Sequence, residues 1–403
     1  MKKFLAIVLA LVMVVALAAP ACAAGDKEVK VWVAENVVDF TKAKIAEFQA
    51  ANPEFADFVV TVEPVGEGDA ASNVLTDLDA AADIFGFPQD QLARLVAANS
   101  LLELEESVAE QVAAENDAGS VAAATMGDLM YAYPMTSDNG YFLYYDKSVV
   151  TDPSSLEAII ADCEAAGKSF YYDLRSGWYQ PAFFFGAGCT LTYETDTEGA
   201  YSACNIDYAS DTGVAAMKAL VKLAKSPAFK NGSSFSTATN AAAIIDGTWD
   251  AGAAKEAFGD NYACAKLPTV EINGVATQLS GFGGFKLLGV KPQTDDDKLA
   301  FCDALAYFLA SGEVQLARFE AVGWGPSNLE AKASDAVKAD EALSALGEQL
   351  AFTIPQGNYP GEYWGLAEGL GDDIIAGKYA DADDAAILAA LQTFQTACEA
   401  VVK

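Results

Sequence analysis

Histidine is absent from all 403 residues, and arginine occurs three times, at Arg94, Arg175 and Arg318. The first absence removes the commonest general base and the commonest metal ligand. It excludes Ser-His-Asp and Cys-His mechanisms and every zinc site that uses imidazole. The second removes the side chain that grips phosphate and carboxylate in a fork, which argues against an anionic ligand. Positive charge of any kind is scarce: 24 Lys and Arg stand against 57 Asp and Glu, a formal net charge of −33. Nucleic acid and a polybasic membrane patch are both disfavoured, because each needs clustered cations. A charge this large chiefly confers solubility.

Long apolar runs are lacking except at the start. Lys2 and Lys3 precede an unbroken apolar stretch over residues 4–19, followed by Pro20 and small residues. That order is a secretory signal peptide, and the run is short of the ~20 residues a spanning helix needs. Residues 1–24 are therefore set aside, and the mature chain is expected outside the cell or at its surface. Ala21 and Ala23 offer an A-x-A cleavage site, and Cys22 offers an alternative, a lipid tether to the membrane. The preceding Ala19-Pro20-Ala21 departs from the usual lipoprotein pattern. The remaining length suits two or three domains.

Cysteine pairs in C-x-x-C spacing are missing too, which leaves no zinc-knuckle or thioredoxin-like motif. Beyond Cys22 there remain Cys163, Cys189, Cys204, Cys264, Cys302 and Cys398, an even number that permits three disulfides in an exported chain. Cys189 and Cys204 bracket the turn-like "TYETDTEGAYSA" and are the first candidate pair. The other reading is buried free thiols.

What is present is an alternation of strand and helix signals. "EVKVWV" (28–33) alternates polar and apolar residues, as a half-buried strand does. "DFTKAKIAEFQAA" (39–51) has helical spacing, with Asp39 as a candidate cap. "FVVTVEPV" (58–65), the helix "ASNVLTDLDAAA", the strand "DIFGF" (83–87) and the helix "QDQLARLVAAN" continue the pattern. This order predicts an α/β fold with mostly parallel sheets flanked by helices. Ligands on such sheets bind beyond the carboxyl ends of the strands. Further on, "GYFLYYDKSVV" (140–150), "SFYYDL" (169–174), "YACAKLPTV" and "GFKLLGV" read as strands. "GVAAMKALVKLAK" (213–225) and "DDDKLAFCDALAYFLA" (295–310) read as helices. The acids that open the last helix suit its dipole better than a calcium loop.

Five tryptophans occur. Trp32 lies inside the first strand and reads as core. Trp178, Trp249, Trp324 and Trp364 each lie at the end of an element beside turn residues, with a glycine within two positions. Rigid scaffolds present functional residues at such ends, and an indole packs flat on the apolar face of a sugar ring. Sugar sites add polar groups that fix orientation. Glu35 and Asn36 after the first strand, Phe87 and Asp90 after the third, and Asp138 and Asn139 before "YFLYY" hold such places. Helix capping and Asx turns are the competing reading for these acids and amides.

The ordered set "KVWVAEN", "DIFGFPQDQLARLVAANSLLEL", "YAYPMTSDNGYFLYYDKSVV", "AAIIDGTWDAGAAKEAFGDNYACAKLPT" and "VGWGPSN" resembles the extracellular solute-binding proteins of ABC sugar importers. It is similar to the maltose/maltodextrin-binding proteins of Gram-positive bacteria, over nearly all of the mature chain. The resemblance implies a two-lobed fold in which the chain crosses the hinge three times. Residues 25–138 and 280–325 would form one lobe, and 139–279 and 326–403 the other. It implies stacking by Trp249 in "IDGTW", by Trp178 and Tyr179 in "GWYQP", and by the pair Tyr363–Trp364 beyond "IPQ". Asp90 matches the family's acid after the third strand, and Asp138 or Asn139 its next carboxylate. The family's Trp at the exit of the third strand is either replaced by Phe87 or missing, and Glu35-Asn36 stands where the family carries a Lys.

The resemblance implies capture of a neutral oligosaccharide, of the maltose/maltooligosaccharide type, for delivery to ABC permease subunits. It implies no catalysis and no cofactor. A secreted glycoside hydrolase is the alternative, since a carboxylate pair works without histidine. The same fold binding a polyol or peptide is another.

Overall fold

The computed structural model describes residues 27–402. The leader expected over residues 1–24, with Cys22, lies outside the described residues. Strand β1 (Glu28–Val33) pairs in parallel with β2 (Val59–Pro64), and helix α1 (Val38–Ala51) makes the crossover. Asp39 sits in the first turn of α1 without capping it. Helix α2 (Glu67–Thr76) starts earlier than expected and stops at Asp77, whose side chain takes the Ala80 N–H at 3.0 Å. Strand β3 (Ile84–Pro88) flanks β1 on its other side, in parallel, and helix α3 (Leu92–Ala97) follows.

Strand β4 (Tyr133–Gly140) was not legible as a strand, because its sequence "YPMTSDNG" does not alternate. It is buried on both faces, and only Tyr141 separates it from β5 (Phe142–Asp146) in a second sheet. That sheet is completed by β6 (Ser169–Tyr172), then, beyond the hairpin β7 (Leu191–Thr195) and β8 (Tyr201–Ile206), by β9 (Phe229–Asn231), β10 (Ala241–Asp246) and β11 (Tyr262–Ala265). The chain returns to the first sheet as β12 (Phe282–Val290), and β13 (Ile354–Pro355) adds a last short edge.

The sheet orders are β13-β12-β3-β1-β2, with β4 also on β12, and β9-β6-β10-β5-β11. Each sheet is parallel where consecutive β-α units build it. β12 runs antiparallel to β3 and β4, whereas β13 runs parallel to β12. One apolar core surrounds the first sheet; a second, larger one covers one face of the second sheet, and a smaller third, with Phe142, Tyr144, Tyr171 and Ile244, covers its other face. Phe183, Phe184 and Phe185 all belong to the second core.

Helix α4 (Asp296–Leu309) is capped by the Asp295 side chain, which accepts the Lys298 N–H at 2.9 Å, so these acids act at a helix start. The six cysteines among the described residues are free, which corrects the Cys189–Cys204 expectation. The bracketed segment is a β-hairpin in which Cys204 pairs across from Tyr193, four residues beyond Cys189. At about 3.4 Å per strand residue that offset exceeds disulfide reach.

Candidate functional site

A cleft of about 760 Å³ lies between the two sheets. Its walls come from the carboxyl ends of strands, as the topology demands. Ala34, Glu35 and Asn36 follow β1, Pro88 ends β3 and Asp90 follows it, Trp178 and Tyr179 follow β6, and Trp249 and Asp250 follow β10. Nine of the twelve residues expected from the sequence line it: Glu35, Asn36, Asp90, Asn139, Trp178, Tyr179, Trp249, Trp324 and Trp364.

The other three lie behind it. Phe87 is fully buried in β3, where both sheet faces are covered. Asp138 and Asn139 are neighbours on a strand and point to opposite sides. Asn139 reaches the cleft, whereas Asp138 Oδ2 accepts from Thr248 Oγ1 and from the Gly325 N–H, both at 2.5 Å. Asp138 thereby ties a strand of the first sheet to the Trp249 and Trp324 turns. Tyr363 packs in the second core and its hydroxyl donates to Gly177 O at 2.8 Å, bracing the Trp178 turn from behind.

The aromatic platforms are held by distinct devices. The Trp178 turn presses on helix α5 (Gly361–Ile375), so closely that a Cβ at Gly177 would fall 2.6 Å from Ala367 Cβ. Tyr141 Oη also donates to Trp178 O at 3.0 Å. The Trp249 ring lies on Gly247, where a Cβ would fall 2.1 Å from the indole. Tyr179 Oη donates to Asp246 Oδ1 at 3.1 Å. Burial and the neighbouring Asp250 push the Asp246 carboxyl well above its ordinary range.

Several lining residues were not anticipated. Lys286, in the strand "GFKLLGV", is 5 % exposed. Its Nζ lies 3.3 Å from Glu67 Oε2, 3.8 Å from the Trp324 ring centre and 4.9 Å from that of Trp249. A lone lysine in an apolar strand was the available signal, since a buried ammonium needs a carboxylate or π face. Glu67 and Asp69 sit in the first turn of α2, where acids are ordinary and gave no signal, and Ser72 lies further along the helix. Arg94 reaches Ser72 Oγ at 3.3 Å and borders Gly361. Gln356 donates through Nε2 to Asp90 Oδ1 at 2.7 Å. Burial pushes the Asp90 carboxyl up to about 7, against the pull of Arg94. Among the described residues no protein partner reaches the buried Trp324 Nε1 or Glu67 Oε1. The cleft thus offers flat apolar faces together with donors and acceptors.

Two α/β lobes with a shared aromatic cleft at their strand ends define a two-lobed ligand-binding protein. The chain belongs to the bacterial extracellular solute-binding protein family, whose sequence pattern matches residues 43–345. It is 26 % identical over 374 residues to the galactooligosaccharide-binding protein of Bacillus subtilis (strain 168), covering 88 % of this chain and 84 % of that one. A solved structure described as "with acarbose" superposes with a TM-score of 0.81 at 28 % identity, covering 94 % of this chain and 100 % of the other. The maltodextrin-binding protein of L. casei, solved without ligand, gives a TM-score of 0.75 at 24 % identity, covering 92 % and 98 %. The maltotriose-binding protein of Thermus thermophilus, bound with maltotriose, gives 0.77 at 18 % identity, covering 93 % and 100 %. The last two establish shared fold.

Proposed function

We propose that the protein captures a neutral oligosaccharide of the maltose/maltooligosaccharide type, leaves it chemically unchanged, and delivers it to an ABC permease. The observation that carries this reading is one cleft gathering Trp178, Trp249, Trp324, Trp364 and Tyr179 beside Asp90, Asn139 and Gln356. Indole faces match the apolar faces of pyranose rings, and carboxylates and amides match their hydroxyls. Five carboxylates line the cleft, from Glu35, Glu67, Asp69, Asp90 and Asp250, against the two cations Arg94 and Lys286. That balance repels an anion. The names of the relatives support a sugar, with maltodextrin and galactooligosaccharide binders both among them.

The lobes divide near residues 138, 280 and 326 in this reading; the sheet membership of β5 and β12 supports the first two divisions, while β13 (Ile354–Pro355) joins the first sheet from the segment assigned to the other lobe. Ligand between them shifts the population toward the closed form, which docks on the permease. The protein acts outside the cell or at its surface, free or tethered through Cys22.

Isothermal titration with maltotriose, maltotetraose, galactooligosaccharides, glucose and glycerol phosphate tests the ligand class. Heat is expected with the maltooligosaccharides. Heat with galactooligosaccharides alone would reassign the sugar, and heat with none would overturn the carbohydrate reading. Prolonged incubation with the bound sugar should yield no shorter product; turnover would make the protein a hydrolase.

A further inference from the structure

A single buried amide joins the two sides of the cleft. Gln356 is 4 % exposed and follows β13, and its N–H donates to Gly283 O at 3.0 Å. Its Nε2 donates to Asp90 Oδ1 at 2.7 Å. Its Oε1 accepts from the Trp178 indole N–H at 3.1 Å and from Asn139 Nδ2 at 3.2 Å. An indole N–H only donates, so the amide oxygen faces Trp178 and Nε2 faces Asp90. The following residues clamp the segment: Asn358 Oδ1 accepts from Ala93 N–H at 3.0 Å, and Tyr359 N–H donates to Asp90 O at 3.1 Å. Gly284 leaves the amide its room, since a Cβ there would fall 3.3 Å from Gln356 Oε1 and 2.8 Å from Gln89 Oε1.

We propose that Gln356 is a positioning residue of the sugar site, setting the separation of the Trp178 indole and the Asp90 carboxyl, from opposite lobes, in the conformation that binds ligand. The inference rests on the oligosaccharide reading above. Because the indole N–H is engaged, Trp178 offers a ligand its ring face and no donor. Because Asp90 Oδ1 is engaged, its second oxygen serves a ligand hydroxyl. A ligand must then present an apolar ring face and a hydroxyl at a set spacing, which selects pyranoses over open-chain polyols.

The test is calorimetric titration of wild type, Gln356→Leu and Gln356→Glu with the oligosaccharide that wild type binds, from about pH 5.5 to about pH 8.5. Gln356→Leu should lose roughly tenfold or more in affinity throughout, since it leaves the buried Trp178 N–H, the Asn139 amide and the Asp90 carboxyl without their partner. In Gln356→Glu the new carboxyl lies against Asp90, and the two share a proton at low pH. Its O–H then replaces Nε2 and its carbonyl still serves Trp178 and Asn139, so binding stays near wild type. At high pH both ionise and repel, and affinity should fall roughly tenfold or more. Arg94, Tyr201 and Tyr359 also face Asp90. The two tyrosines are pushed up by burial and stay neutral over this range. A pH-independent affinity for Gln356→Glu, together with wild-type affinity for Gln356→Leu, would overturn the inference while leaving the sugar reading intact. Failure of wild type to bind any sugar would remove both. If Gln356→Leu does not fold, the pH profile of Gln356→Glu decides alone.

Discussion

Trp178 and Trp249 stand with ring centres 5.8 Å apart and planes inclined by 45°. That is direct aromatic contact, so no sugar ring fits between them. Protein groups crowd both indoles: Trp178 meets Tyr141 at 4.7 Å and Tyr179 at 4.9 Å, and Trp249 meets Lys286 at 4.9 Å and lies on Gly247. A ligand therefore meets the two indoles side by side, as a joined pair.

Replacing Trp178 or Trp249 by alanine should weaken oligosaccharide binding by about 1–3 kcal/mol each. Because the two rings touch, the double variant should lose less than the sum of the single losses. Calorimetric titration of the four proteins measures the coupling. Strictly additive losses would mean that the rings act on separate parts of the ligand.

Lys286→Met should destabilise the protein by about 3–5 kcal/mol, because it leaves Glu67 buried without its ion-pair partner. Adding Glu67→Gln should restore most of that loss. Urea denaturation of the three proteins checks it. No recovery in the double variant would place the loss in the Trp324 and Trp249 contacts instead.

Asp90 gives a pH dependence whose sign follows from burial. Its carboxyl titrates near about 7 when folded and near 3.8 in the unfolded reference. Between these values the native state holds a proton that the unfolded state has released, so this group's contribution to stability falls as pH rises. It is fully present below the unfolded value and lost by the folded one. Asp90→Asn should flatten the decline between about pH 4 and about pH 7, as denaturant midpoints across that range would reveal.

The cysteines should react as six thiols. Alkylation of the unfolded, unreduced protein should label Cys163, Cys189, Cys204, Cys264, Cys302 and Cys398, with no gain after reduction. In the folded state labelling should be slow, since burial pushes Cys163 and Cys302 up to about 12 and removes the reactive thiolate. A mass two hydrogens lighter that reverts on reduction would reveal a disulfide.

Much of the cleft was readable because strand ends announce themselves locally. "IDGTW" places an aromatic after a buried strand and a glycine, and Trp249 lines the cleft from there. "SGWYQP" does the same for Trp178 and Tyr179. Which of two adjacent residues reaches the cleft was not readable. Asn139 does and Asp138 does not, by strand alternation. Trp364 does and Tyr363 does not, because neighbours on a helix point in different directions. The choice depends on register, which β12 and the second core impose from far away in sequence.

The sequence by itself determined the chemistry available to this protein. Without histidine, with three arginines and with a large excess of carboxylates, it cannot run imidazole catalysis and is poorly equipped for anions. Its β-α alternation also determined the kind of sheet, because local periodicity fixes element type. The tertiary structure decided which polar groups meet. Asp90 and Gln356 are 266 positions apart and bond at 2.7 Å, and Glu67 and Lys286 pair from separate passes of the chain. Those meetings follow from the returns of β12 and β13 to the first sheet. They are set by long-range packing, for which no local pattern exists.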